Sequence, residues 1–128
     1  MIRVVGNGGH ASVCREIISA NRYTFGTFIA VGDNKKRKLE AENSFDQFAI
    51  LIHRDAIVSP LATIGEGTVI MAGAVIQAHA KIGRHCIVNT LASCDHHTVL
   101  EDFVHIAPGA HICGNVHVGE GALVGVGI

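Results

Sequence analysis

From residue 57 to residue 128, apolar and polar positions follow a six-residue rhythm that runs twelve times without a break. In hexads counted from Ile57 the second position is aliphatic almost throughout, from Val58, Ile64 and Ile70 to Ile112, Val118 and Val124, with Cys94 the exception. The sixth position is small in most repeats, as at Ala62, Thr68, Ala74, Ala80, Cys86 and Ala92. The sixth residue of one hexad and the second of the next lie two apart, so on an extended backbone both side chains point the same way. The remaining positions are rich in Gly, Asn, Asp and Glu, the composition of a turn. Short strands separated by corners every six residues describe a parallel β-helix. With three hexads to a turn each coil takes eighteen residues, and the tract makes about four coils. Handedness does not follow from the pattern, since ordinary parallel crossovers are right-handed.

Ahead of this tract the pattern changes. Residues 1–5 read as a strand, followed by Gly6-Asn7-Gly8-Gly9-His10-Ala11 and a helical stretch over residues 12–21. A strand, a Gly-rich turn and a helix open a nucleotide-binding βα unit, whose backbone N–H groups and helix N-terminus suit a phosphate. The plainer alternative is a tight turn that only joins strand to helix. Without a Gly-Lys-Ser/Thr run there is no P-loop. Residues 25–31 read as a second strand, 35–42 as a charged helix and 48–52 as a third strand. The expected architecture is mainly β, with a small α/β Rossmann-like domain over residues 1–54 and a β-helix over 55–128. About fifty residues bury a meagre core, so the first part should lean on the β-helix or on a neighbouring subunit.

Composition narrows the function classes. Of the 128 residues 48% are hydrophobic and 16% charged, which excludes disorder. A net charge of −1, five Phe, one Tyr and no Trp leave neither a basic footprint nor stacking platforms for nucleic acid. No apolar run approaches a membrane span and no signal-peptide pattern opens the chain, so a cytoplasmic protein without membrane contact is expected. Cys14, Cys86, Cys94 and Cys113 show no CxxC spacing and read as reduced structural thiols.

One hexad departs from the Gly-rich corner: Ser93-Cys94-Asp95-His96-His97-Thr98. A corner side chain points outward, and an imidazole is the natural base for proton transfer near neutral pH. Asp95 beside it can orient the ring and stabilise the imidazolium, although neighbours on a strand point apart. His105 precedes an inward residue and should face out, on a different face from His96, so that only a second subunit brings the two together. His79 and His97 are eighteen apart and should stack on successive coils; His111 and His117 share the phase of His105 on the following faces. The His79/His97 pair has no evident third ligand, so no metal is expected. His85 reads as a surface residue and His53 as a junction residue.

The chain resembles the sialic acid O-acetyltransferase family, which includes acetyltransferases of nucleotide-linked amino sugars. The residues that carry the resemblance are Gly6-Asn7-Gly8-Gly9-His10, the run from Ile29 to Arg37, Asn89-Thr90, Asp95-His96 and Phe103-Val104-His105-Ile106-Ala107-Pro108-Gly109-Ala110. It implies a left-handed β-helix, a homotrimer with active sites between subunits, and acetyl-CoA as co-substrate. By position, His96 matches the general base and Asn89 a site-lining residue. His105 and Gly114 match positions near the acetyl-CoA thioester. Gly8, Gly9 and His10 match the sugar-nucleotide loop, with Gly32 and Asn34 beside it. The implied reaction is direct transfer to a sugar amine or hydroxyl, and neither N- over O-acetylation nor the sugar itself follows from these residues.

Three departures from the family pattern stand out. His97 occupies the position where relatives carry an acid, so transfer should be slower here and His97→Glu should raise the rate; a drop instead would mean that Asp95 or His97 has taken over the role. Between Asn21 and Phe25 there is no sign of the strand and loop that relatives use at the nucleotide site, and the further coils of relatives are expected to be lacking after Ile128. Those departures lead to the expectation of a shortened member with an uncapped last coil, weak acetyl-CoA binding and self-association through the open end. The alternative is a catalytically impaired β-helix serving as a trimeric scaffold or sugar-nucleotide-binding module.

Overall fold

A computed structural model describes residues 2–21 and 26–125. The segment between Asn21 and Phe25 and the inward position expected for Ile128 lie outside the described residues. The hexads form a parallel β-solenoid of about four turns, whose rungs are strands of two residues each. β3 (Leu51–Ile52), β6 (Val69–Ile70), β9 (Ile87–Val88), β12 (His105–Ile106) and β15 (Leu123–Val124) stack as the first face. β4 (Ile57–Val58), β7 (Val75–Ile76), β10 (Ser93–Cys94) and β13 (His111–Ile112) form the second. β5 (Thr63–Ile64), β8 (Lys81–Ile82), β11 (Val99–Leu100) and β14 (His117–Val118) form the third. The register is the eighteen-residue one expected, with Cys94 beside Ile76 and Ile112. The repeat begins one hexad earlier than the sequence rhythm suggests, because Leu51 and Ile52 already pair with Val69 and Ile70. Second- and sixth-position residues fill the interior as one cluster from Ile52 to Val124.

From the hexad at Thr63 onward each described corner turns through its fifth position. Gly67, Gly73, Gly109 and Gly121 adopt positive φ there, and so do His79, His85, Leu91, His97, Phe103 and Asn115, with φ between 53° and 63°. A left-handed residue with a Cβ costs about 1–2 kcal/mol. The ladder bonds on either side, such as Ser93 N–H to Ala110 O at 3.0 Å and Val99 N–H to Val116 O at 2.9 Å, hold it in place.

The N-terminal residues form β1 (Ile2–Val5), α1 (Gly9–Asn21), β2 (Gly26–Ile29) and α2 (Asn34–Glu42), with β1 and β2 parallel. α1 begins at Gly9 rather than at residue 12, and the third strand is only Leu51–Ile52, with Phe48 making an isolated bridge to Thr27. Gly6 turns the chain between β1 and α1 at φ 118°; a Cβ there would lie 2.5 Å from Ala30 O, so only glycine fits. Ala11, Cys14 and Ile17 recur on one side of α1 and bury against Leu51, Val69, Met71 and Ile87 on the outside of the first face. Over β3, β6 and β9 that face is therefore apolar on both sides, and the small unit rests on the solenoid of its own chain.

His85 is buried, not a surface residue. Its ring stacks on Phe103 at 5.2 Å and meets Phe48 edge-on at 4.5 Å, and its Nδ1 has no hydrogen-bond partner. Burial pushes its pKa down from 6.5 to about 4, opposed by Glu66 and assisted by Arg84 and Arg37. A depressed imidazole pKa means that the unfolded chain takes the proton first. Stability is then complete above pH 6.5 and falls as the pH drops toward 4, by up to about 1.4 kcal/mol per pH unit from this group. Urea unfolding at pH 7 and pH 5 reads the effect. His85→Phe should make the profile shallower, and an unchanged slope would mean that this ring does not contribute to it.

Candidate active site

The departing hexad places its two imidazoles side by side. His97 adopts φ 59°, which swings its side chain to the same side as that of His96. Their Nδ1 atoms lie 3.2 Å apart, and the rings meet edge-on with centroids 5.4 Å apart. A contact between two Nδ1 atoms needs one proton, so one ring donates and the other accepts. One coil below, His79 lies against His97 with centroids 5.0 Å apart and planes tilted by 31°, the stack expected from the eighteen-residue spacing. Both rings of the pair are exposed. The Asp95 carboxylate makes no hydrogen bond to either ring among the described residues, so His97 rather than Asp95 engages His96 Nδ1.

Gly114 sits one coil above His96. A Cβ there would lie 2.5 Å from His96 Nε2, so the absent side chain is what lets the imidazole lie along the backbone. The neighbouring Asn115 N–H donates to His96 O at 3.1 Å.

A second cluster lies at the edge of the first face, where the solenoid meets the N-terminal unit. Asn89 Oδ1 accepts from Thr90 N–H at 2.8 Å, which leaves its Nδ2 to donate to His105 Nε2 at 3.1 Å. A hydrogen bond with the Gly32 backbone engages the same imidazole. Burial pushes the His105 pKa down, with Arg37 adding to the effect and the Gly32 bond opposing it. His105 is therefore held neutral, with Nε2 as an acceptor.

Two open cavities flank Gly32. One, of about 350 Å³, is lined by residues 6–10 and 30–32. The other, of about 340 Å³, is lined by Gly32, Asp33, Asn34, Lys35, His105, Gly121 and Leu123. A Cβ at Gly8 or Gly9 would meet nothing within 4 Å, so the loop presents bare backbone at the start of α1. His10 reaches Cys14 Sγ with Nε2 at 3.5 Å. Burial raises the Cys14 pKa to about 12, so the thiol stays protonated and donates, leaving the His10 proton on Nδ1. Burial, then the Arg37 charge, push the His10 pKa down to about 4, and the nearby His105 imidazole acts in the same direction. Asn34 has both ends engaged: Oδ1 accepts from Arg37 at 2.7 Å, and Nδ2 donates to Gly121 O at 3.0 Å and Ala122 O at 3.2 Å.

Sequence reasoning gave no role to Arg37, which joins these parts and which read as one charge in a charged helix at the end of the Ile29–Arg37 run. The geometry thus brings His96, His97 and Gly114 together at one corner, and Asn89, His105, Gly32 and His10 together elsewhere. The corner between the second and third faces lies opposite the first face of a three-sided solenoid. Within one chain His96 and His105 are on opposite sides. Among the described residues no group of three or more His, Cys, Asp or Glu could hold a metal ion, and no helix is long and apolar enough to cross a membrane.

Comparison with known proteins adds to this geometry. The bacterial transferase hexapeptide (six repeats) family matches residues 61–90. The chain is 43% identical to UDP-N-acetylbacillosamine N-acetyltransferase of Bacillus subtilis (strain 168) over a 110-residue alignment, with 56% of this chain and 51% of that protein covered. It thus spans about half the length of that curated relative. The acetyltransferase domain of PglB from Neisseria gonorrhoeae FA1090, in complex with acetyl coenzyme A, superposes with a TM-score of 0.93. That match has 36% identity and covers 98% of this chain and 79% of that one. A mutant perosamine N-acetyltransferase from Caulobacter crescentus, in complex with CoA and GDP-perosamine, gives a TM-score of 0.89 at 29% identity, over 95% of this chain and 75% of that one.

Proposed function

The chain belongs to the hexapeptide-repeat sugar acetyltransferases, and from that membership we propose that it transfers acetyl from acetyl-CoA to the amine of a nucleotide-linked amino sugar. The observation that carries the proposal is His96, an exposed imidazole with Nδ1 hydrogen-bonded and Nε2 against the bare backbone of Gly114. The acceptor nitrogen attacks the thioester carbonyl, and His96 Nε2 takes the proton that the nitrogen must lose as the C–N bond forms. The C–S bond then breaks, and the proton passes from His96 to the departing thiolate. Asp95 adds negative charge near the imidazolium without touching it.

The solenoid of residues 55–128 is left-handed in this reading and carries the acyl transfer, while residues 1–54 are a Rossmann-like sugar-nucleotide-binding domain. Gly8 and Gly9 offer backbone N–H groups to the phosphates at the start of α1, and His10 offers its Nδ1–H. Gly32 and Asn34 form the wall between the two cavities. Asn89 and the neutral His105 line the thioester end, where His105 accepts hydrogen bonds rather than moving a proton. Because His96 and His105 lie on opposite sides of one chain, a homotrimer completes each site with His96 from one copy and His105 from its neighbour. Ile57, 66% exposed on the second face, supplies apolar surface for that packing.

Thiol release from acetyl-CoA in the presence of UDP- and GDP-linked amino sugars tests the reaction. Release with at least one amino sugar, and none with its hydroxyl counterpart, is expected; no release with any of them would overturn the proposal. Sedimentation that finds only monomer in an active preparation would remove the shared site. Gly114→Ala should lower kcat about tenfold with little change in melting temperature, because the new methyl displaces the His96 ring from its place. Unchanged kcat would show that the ring position does not matter.

A further inference from the structure

We propose that His97 is a positioning residue for His96: it carries its own proton on Nε2 and accepts the His96 Nδ1–H, so that the His96 Nε2 lone pair stays free. The inference deepens the reading of His96 as the base and rests on it. The pair could in principle hold its single proton on either Nδ1 across the 3.2 Å contact. Only one arrangement survives proton transfer. When His96 becomes an imidazolium both its nitrogens carry hydrogen, so a His97 Nδ1–H would leave two donors facing each other. With His97 Nδ1 as acceptor, the contact instead becomes charge-assisted and shortens the barrier's electrostatic cost. His97 thus does without a negative charge what an acid does in that position, orienting the ring and fixing the tautomer.

Two features keep the acceptor in place. The left-handed conformation at His97 aims its ring at its sequence neighbour. The ring of His79, 5.0 Å away on the coil below, backs His97 on its other side. His79 therefore belongs to the same device, although it does not touch His96.

The test uses the tautomer itself as well as the rate. Long-range ¹H–¹⁵N spectra of the imidazoles in the full chain, at a pH where they are neutral, should show His96 protonated on Nδ1 and His97 on Nε2. In His97→Leu that preference at His96 should vanish and kcat should fall about tenfold, a part of the roughly 10²–10⁴ that a general base contributes. KM should change little, and the fold should be intact because the His97 side chain is exposed. His97→Asn and His97→Glu each put an acceptor oxygen near the lost Nδ1 and should restore both tautomer and rate, with Glu faster than Asn because its charge also stabilises the imidazolium. A native His96 protonated on Nε2 would overturn the proposal, as would a Leu variant with native kcat or an Asn variant as slow as Leu. If instead His96→Ala keeps full activity the base assignment fails, and the spectra still report the His96–His97 bond independently.

Discussion

His96→Ala should lower turnover about 10²- to 10⁴-fold while leaving the unfolding transition close to that of the unaltered chain. The two halves of that expectation come from one fact, the place of His96 on a corner. Its side chain is exposed and contributes no packing to the interior, which is filled by second- and sixth-position residues. Its backbone C=O bond to Asn115 N–H does not depend on the side chain. The loss therefore falls on chemistry: with the imidazole removed, the amine must shed its proton to water as it attacks. Single-turnover rates at saturating acetyl-CoA, paired with a thermal melt, measure both halves. Full activity in a folded variant would show that some other group takes the proton.

Arg37→Met should destabilise the fold by about 3–5 kcal/mol, the largest loss expected from any single side chain outside the interior of the solenoid. Arg37 is 1% exposed, and no carboxylate pairs with it among the described residues. Its guanidinium is satisfied by oxygen acceptors instead. Nε donates to His85 O at 2.8 Å, one terminal nitrogen to Val31 O at 3.0 Å and Gly32 O at 3.1 Å, and the other to Asn34 Oδ1 at 2.7 Å and Phe103 O at 3.3 Å. Burial pushes its pKa down to about 10, with Cys86 and Asp33 opposing, so it remains charged at neutral pH. Methionine fills much of the space but donates nothing, leaving buried carbonyls on both sides of the junction without a partner. Lysine does not rescue this geometry, because a single ammonium cannot reach acceptors spread along a planar fork. Urea denaturation measures the loss, and a change below about 1 kcal/mol would show that water replaces the guanidinium. The same substitution frees residues 31–34, so both cavities beside Gly32 should lose definition.

The six-residue rhythm by itself determined the solenoid, its interior and its register. A strand of two residues leaves little choice of which side chain points in, and an eighteen-residue coil puts equivalent hexads on top of one another. That is why the His79/His97 stack and the outward placement of His96 were legible from spacing alone. The choice of Asn89 and His105 as site residues came from resemblance, and their mutual hydrogen bond was not foreseen. Tertiary structure decided the matters that depend on how distant segments meet. His85 looked like a corner residue open to solvent; Phe103 stacks on it from the next coil, and Phe48 closes over it when the N-terminal unit docks. Arg37 looked like one charge among several on a polar helix, and it is buried because that helix faces the corner carrying His85 and Phe103. Sequence left both Asp95 and His97 open as the partner of His96, and the left-handed turn at His97 brings the second imidazole to it. Backbone conformation at a corner is hidden in the sequence wherever the residue is not glycine, since a left-handed His, Leu or Phe is held by the ladder bonds on either side and not by its own preference.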